Sequence, residues 1–202
     1  MKRTMVHNTQ DEHPRLFVAV PIPSGLKAQV AAAANGLKKT LPFKKWVHPD
    51  DLHITLKFLG EVVPSSVAAV EAELERIAAR STPFPLRLQG AGTFGAPMAP
   101  RILWVGLAGK LQALRDLQAD VERQLAPLGY PTEDRPYSPH VTLARQYAGG
   151  APARKDAVRG LFPADAEPPL EWAADRIVLY RSHLGRTPMY EPVRTIAFHA
   201  GG

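Results

Sequence analysis

Two short runs hold residues able to move protons. His53-Ile54-Thr55-Leu56 returns 87 positions later as His140-Val141-Thr142-Leu143. In an extended chain successive side chains point to opposite faces. His53 and Thr55 then share one face while Ile54 and Leu56 take the other, and the second run divides in the same way. If the runs face each other, two imidazoles and two hydroxyls converge on one small volume, a set suited to a tetrahedral anion. A neutral imidazole can take a proton from attacking water while a protonated one donates to a leaving oxygen, and the hydroxyls can hold non-bridging oxygens. Histidine fits both tasks, because its ordinary pKa of about 6.5 keeps both forms available near neutrality. The chemistry implied is phosphodiester cleavage. A lone His-x-Thr on a strand is ordinarily a polar residue on a half-exposed face. Here core packing explains why Ile/Val and Leu recur, but it gives no reason for the outward His and Thr to recur with them.

Other chemistries lack their residues. The 202-residue chain has no cysteine, which removes disulfides, thiolate nucleophiles and cysteine-bound metals. It has no His-Glu-x-x-His helix and no Gly-Asp cluster of the kind two-metal phosphoesterases use. It has no Gly-x-x-x-x-Gly-Lys-Ser/Thr loop either, so neither a metal nor a cofactor is expected. The net charge of +6 favours a polyanionic partner, although the cations are scattered. No apolar run reaches signal or membrane-span length, and a cytoplasmic location is expected.

The elements that must position the two runs read as a polar leader over 1–14 and a single two-lobed domain over 15–202. Arg15 to Ile22 is a strand, Ser24 opens a helix to about Lys39, and a short strand bears His53. Pro64-Ser65-Ser66 starts a second helix with Val67, Val70, Leu74 and Ile77 on one stripe. Strands over Phe84 to Leu88 and Arg101 to Leu107 flank a Gly/Pro-rich loop, GAGTFGAPMAP. A third helix spans about Lys110 to Leu125 before the His140 strand. A short helix near Arg154 to Leu161 and strands over Arg176 to Ser182 and Met189 to Ala197 complete the chain. The mixture lacks a regular βαβ rhythm, which predicts an α+β fold with mainly antiparallel sheet.

DLHITLKFLG (Asp51 to Gly60) and YSPHVTLAR (Tyr137 to Arg145) resemble the paired motifs of the two-histidine phosphoesterases, nearest to the RNA 2',3'-cyclic phosphodiesterase group, also called 2'-5' RNA ligases. The likeness also takes in RLFVAVPIP, WVHPDD and ILWVGL, so it covers nearly the whole chain. It implies two pseudo-symmetric lobes of antiparallel sheet backed by helices, with a metal-independent site in the cleft between them. It makes His53 the proton donor and His140 the base, although pseudo-symmetry also permits the reverse. Thr55, Thr142 and Arg145 would bind phosphate. The implied reaction opens 2',3'-cyclic RNA ends to 2'-phosphates, in a monomer acting on RNA ends or small cyclic nucleotides. The alternatives are 2'-5' ligation or 2'-5' hydrolysis on the same fold, and an RNA-binding module without turnover.

Three neighbours are ambiguous by parity alone. Strict alternation turns Arg145 away from His140, so either the strand has ended or a bulge turns the guanidinium back. Phe58, at the same offset from His53, could stack on a nucleobase, yet it has the parity of core-facing Ile54 and Leu56. Lys57 has the parity of His53 and would face the groove or simply solvent. In Lys44-Lys45-Trp46 the cations could meet RNA backbone and the indole a base, or the indole could anchor a loop. His48 lies close enough to the first motif to line the cleft rim.

Overall fold

The computed structural model describes residues 13–149, 158 and 160–199. Nearly all of the polar leader, and the greater part of the helix expected near Arg154 to Leu161, lie outside the described residues. Three amphipathic stretches become helices: α1 (Ser24–Leu37), α2 (Pro64–Ala79) and α3 (Leu111–Leu125). In α2 a proline stands at the start, where its missing N–H costs nothing. Val70, Leu74, Ile77 and Ala78 recur at helical spacing and are buried. In α3 the buried stripe is Leu114, Leu117, Val121 and Leu125.

The strands are β1 (Arg15–Pro21), β2 (Phe43–Trp46), β3 (His53–Glu61), β4 (Phe84–Ala96), β5 (Ala99–Gly109), β6 (Val141–Tyr147), β7 (Glu171–Ala174), β8 (Arg176–Ser182) and β9 (Tyr190–Ala197). The segment expected as a Gly/Pro-rich loop is instead the far end of a long β4–β5 hairpin. Its glycines have a packing role: a Cβ on Gly92 would stand 2.5 Å from the Trp104 ring that lies across it. β2 and β7 are four residues each and follow prolines, too short to show a period in the sequence.

All recorded pairings are antiparallel, and the sheet order is β7-β4-β5-β6-β3-β1-β8-β9, with β2 added beside β6. That order is a palindrome in role. Each motif strand is followed outward by three others, giving half-sheets β3-β1-β8-β9 and β6-β5-β4-β7 that meet at one registered pair, Ile54 opposite Val141. At the rim Asp175 alone separates β7 of one half from β8 of the other, and its carbonyl accepts the Phe198 N–H at 2.7 Å.

One hydrophobic core runs through both halves, joining Val18, Val20, Ile54, Leu103, Val105 and Val141 to the buried stripes of α2 and α3. Each such aliphatic side chain removed from water is worth about 1.5–3 kcal/mol. The opposite face of the first half holds a separate small cluster of Phe17, Ala19, Val178 and Tyr180, with Tyr190 packed on it. His53 sits against this second cluster.

Candidate active site

The registered pair Ile54–Val141 brings the two motifs side by side: His53 and Thr55 flank Ile54, His140 and Thr142 flank Val141, and with those two aliphatic residues in the main core the four polar ones take the other face. Both histidines are held by the same local device. The His53 Nδ1–H donates to the carbonyl of Asp51 at 2.7 Å, and the His140 Nδ1–H donates to the carbonyl of Ser138 at 2.8 Å. A carbonyl can only accept, so in each neutral ring Nδ1 carries the proton and Nε2 keeps its lone pair. The Thr55 hydroxyl lies 3.0 Å from His53 Nε2.

The ladders show why Phe58 and Arg145 face the histidines. Between β1 and β3 the register steps from Ala19–Thr55 to Val18–Lys57, so Leu56 is one residue too many. Between β5 and β6 it steps from Trp104–Thr142 to Leu103–Ala144, so Leu143 is extra. Each bulge therefore falls on the fourth residue of its motif, and it makes two consecutive residues face the core: Leu56 with Lys57, and Leu143 with Ala144. The residue after that returns to the histidine face. Phe58 is 59% exposed with its ring 5.8 Å from Phe17, not core-facing as its parity suggested. Arg145 is exposed, and its charge acts on both imidazoles. Lys57 is corrected in the other direction. It neither faces the groove nor meets solvent, but is 2% exposed, ion-paired to Glu122 of α3, and donates to the Pro131 carbonyl at 2.8 Å.

Comparison with known proteins supplies a family and a fold. The family model of the 2'-5' RNA ligase superfamily matches residues 22–186. The chain belongs to that superfamily. It is 40% identical over 177 residues to a Geobacillus stearothermophilus protein named RNA 2',3'-cyclic phosphodiesterase, covering 88% of this chain and 55% of the relative, so it spans little more than half of that protein. A Bacillus subtilis protein of the same name is 34% identical over 91% of this chain and 96% of its own length. Among solved structures, Escherichia coli LigT in apo form superposes with a TM-score of 0.70 at 28% identity, over 93% of this chain and 98% of that one. Its complex with 3'-AMP superposes equally well.

Around the two histidines the walls are aromatic. Phe17 and Tyr190 lie 4.9 and 5.2 Å from the His53 ring, and Phe94 meets His140 edge-on at 5.0 Å. Burial is the main reason that the His53 pKa is lowered to about 4; the Asp51 carbonyl opposes the shift, and the charges of Arg145, Lys27 and His140 add to it. His140 is lowered as well, first by burial and further by Arg145, against the Ser138 carbonyl. Both rings are therefore neutral near pH 7 until an anion arrives.

Two supporting residues had no signal in the sequence. Asp51 is buried, and its carboxylate accepts the N–H groups of Met189 and Tyr190, both at 2.9 Å, which fixes the Tyr190 ring against His53. The Tyr137 hydroxyl donates to the Thr55 carbonyl at 2.9 Å, tying the approach to His140 onto the first motif. Each contact joins positions more than eighty residues apart, which local spacing cannot reveal. His48 caps the turn before β3 by accepting the Asp50 N–H. Among the described residues no group of three or more His, Asp or Glu is placed to hold a metal ion, and no helix is long and apolar enough to cross a membrane.

Proposed function

We propose that this chain is an RNA 2',3'-cyclic phosphodiesterase whose acid and base are His53 and His140. The observation that supports the reading is the matched pair of Nδ1–carbonyl bonds, which leaves a lone pair on each Nε2, with the Arg145 charge acting on both rings. Water attacks phosphorus as His140 Nε2 takes its proton. The bond from phosphorus to the 3'-oxygen breaks, and His53, protonated at Nε2 once the anionic substrate is bound, gives that oxygen a proton. The product is a 2'-phosphate. The Thr55 hydroxyl turns from Nε2 to a non-bridging oxygen, and Thr142 and Arg145 hold the others, so that charge developing on the phosphate meets placed donors. Phe58 offers an exposed ring to the terminal base. Two relatives bearing the phosphodiesterase name and the LigT complex with 3'-AMP support a nucleotide in this site.

The test is incubation with an oligonucleotide ending in a 2',3'-cyclic phosphate in the presence of EDTA, with the product isomer identified. A 2'-phosphate formed at an undiminished rate is expected; a 3'-phosphate, or turnover only after a divalent cation is restored, would overturn the mechanism. His53→Ala and His140→Ala should each lower kcat about a hundredfold or more.

A further inference from the structure

Lys45 stands directly opposite Arg145 in the β2–β6 ladder, with Ile102 of β5 completing the row. Direct partners in an antiparallel pair share a face with their Cβ atoms about 5 Å apart, so the two cations project together on the histidine face. Their neighbours do not join them. Phe43 is buried in the main core, Trp46 packs against it edge-on at 6.2 Å, and the Lys38 ammonium lies over the Trp46 ring. Lys45 and Arg145 are both exposed, and among the described residues neither makes a hydrogen bond or an ion pair. Like charges directly opposite each other destabilise a sheet, and among the described residues no carboxylate pairs with either. Phosphates placed along the two side chains would offset that repulsion.

We propose that Lys45, beside Arg145, forms a second phosphate subsite that takes the phosphodiester one nucleotide upstream of the reacting end. The substrate is then the 3' end of an oligonucleotide rather than a free cyclic mononucleotide. This rests on the reaction proposed above and adds a length requirement to it. Arg145 is near enough to act on both histidines, so it serves the terminal phosphate. Lys45 stands across the ladder from Arg145, about one strand spacing of 4.8 Å away, and its long stem extends that reach.

The experiment compares wild type, Lys45→Ala and Lys45→Arg on 2',3'-cyclic AMP and on a dinucleotide ending in a 2',3'-cyclic phosphate. The expected result is a lower wild-type KM for the dinucleotide. Lys45→Ala should raise that KM about three- to tenfold without changing kcat or the mononucleotide KM, and Lys45→Arg should restore it. The slope of log KM against log salt for the dinucleotide should fall by about 0.7, the share of one single-strand phosphate contact. An equal effect of Lys45→Ala on both substrates, or none on the dinucleotide, overturns the subsite. If wild type turns over neither substrate, the proposed reaction fails separately, and affinity for the 2'-phosphorylated mono- and dinucleotide decides the subsite alone. Equal Kd values for the two, or values that Lys45→Ala leaves unchanged, would then overturn it.

Discussion

The His53 ring is packed against Phe17, Tyr180 and Tyr190, and loss of water there does more than any neighbouring charge to lower its proton affinity. An acid and base pair needs one ring charged and one neutral, and in the free protein the charged form is the scarce one. Because both pKa values lie below the ordinary 6.5, raising the pH from there removes the acid, so kcat/KM should already be falling between pH 6.5 and 8. Bound substrate adds negative charge beside the rings and raises their pKa, so the corresponding limb of kcat should lie at higher pH. Arg145→Met removes a charge that lowers both rings, and should move the kcat/KM limb upward as well as weakening binding. Profiles of kcat and kcat/KM for wild type and this variant check the argument. A kcat/KM limb above pH 8 in wild type would mean that the imidazoles are better solvated than their packing indicates.

At the level of the strand, the motif contains its own bulge, and the bulge decides what the fifth residue after each histidine does. The two copies differ at the residue that the bulge turns inward: Ala144 in one, Lys57 in the other. Lys57 and Glu122 are 2% and 9% exposed at the side chain, so neither charge can be left alone cheaply. Lys57→Met alone should destabilise the fold by about 3–5 kcal/mol, whereas Lys57→Met with Glu122→Leu should recover most of that loss, since an apolar pair of similar volume can replace a buried ion pair. Urea denaturation of the single and double variants tests this; equal losses in both would assign the cost to the Pro131 carbonyl bond instead. The same bulge marks the limit of what the sequence discloses. Helices with long apolar stripes, and strands bearing His53 and His140, are legible because their period is local. Parity counting beyond Thr55 or Thr142 misplaces Lys57 and Phe58, because nothing in the letters of either run says where one residue too many will be absorbed. Asp51 and Tyr137 open the two motif runs, but their roles are hidden for a different reason: their partners are distant in the chain.

Across the whole molecule, the palindromic order places the histidines at the one point where the half-sheets exchange a registered pair, so each half supplies a complete His-x-Thr and the site exists only when both are folded. The halves are joined in that centre, again at the rim through Asp175, and throughout by one core shared with α2 and α3. Among the described residues these ties, the shared core above all, leave the halves no free hinge about which to swing. Without a hinge between the halves there is no domain closure for solvent friction to act on, and nucleotides should enter and leave a groove of constant width. Turnover should therefore be limited by bond breaking: kcat should be insensitive to added sucrose or glycerol, while a kcat falling in proportion to solvent viscosity would reveal a slow physical step that this framework does not provide.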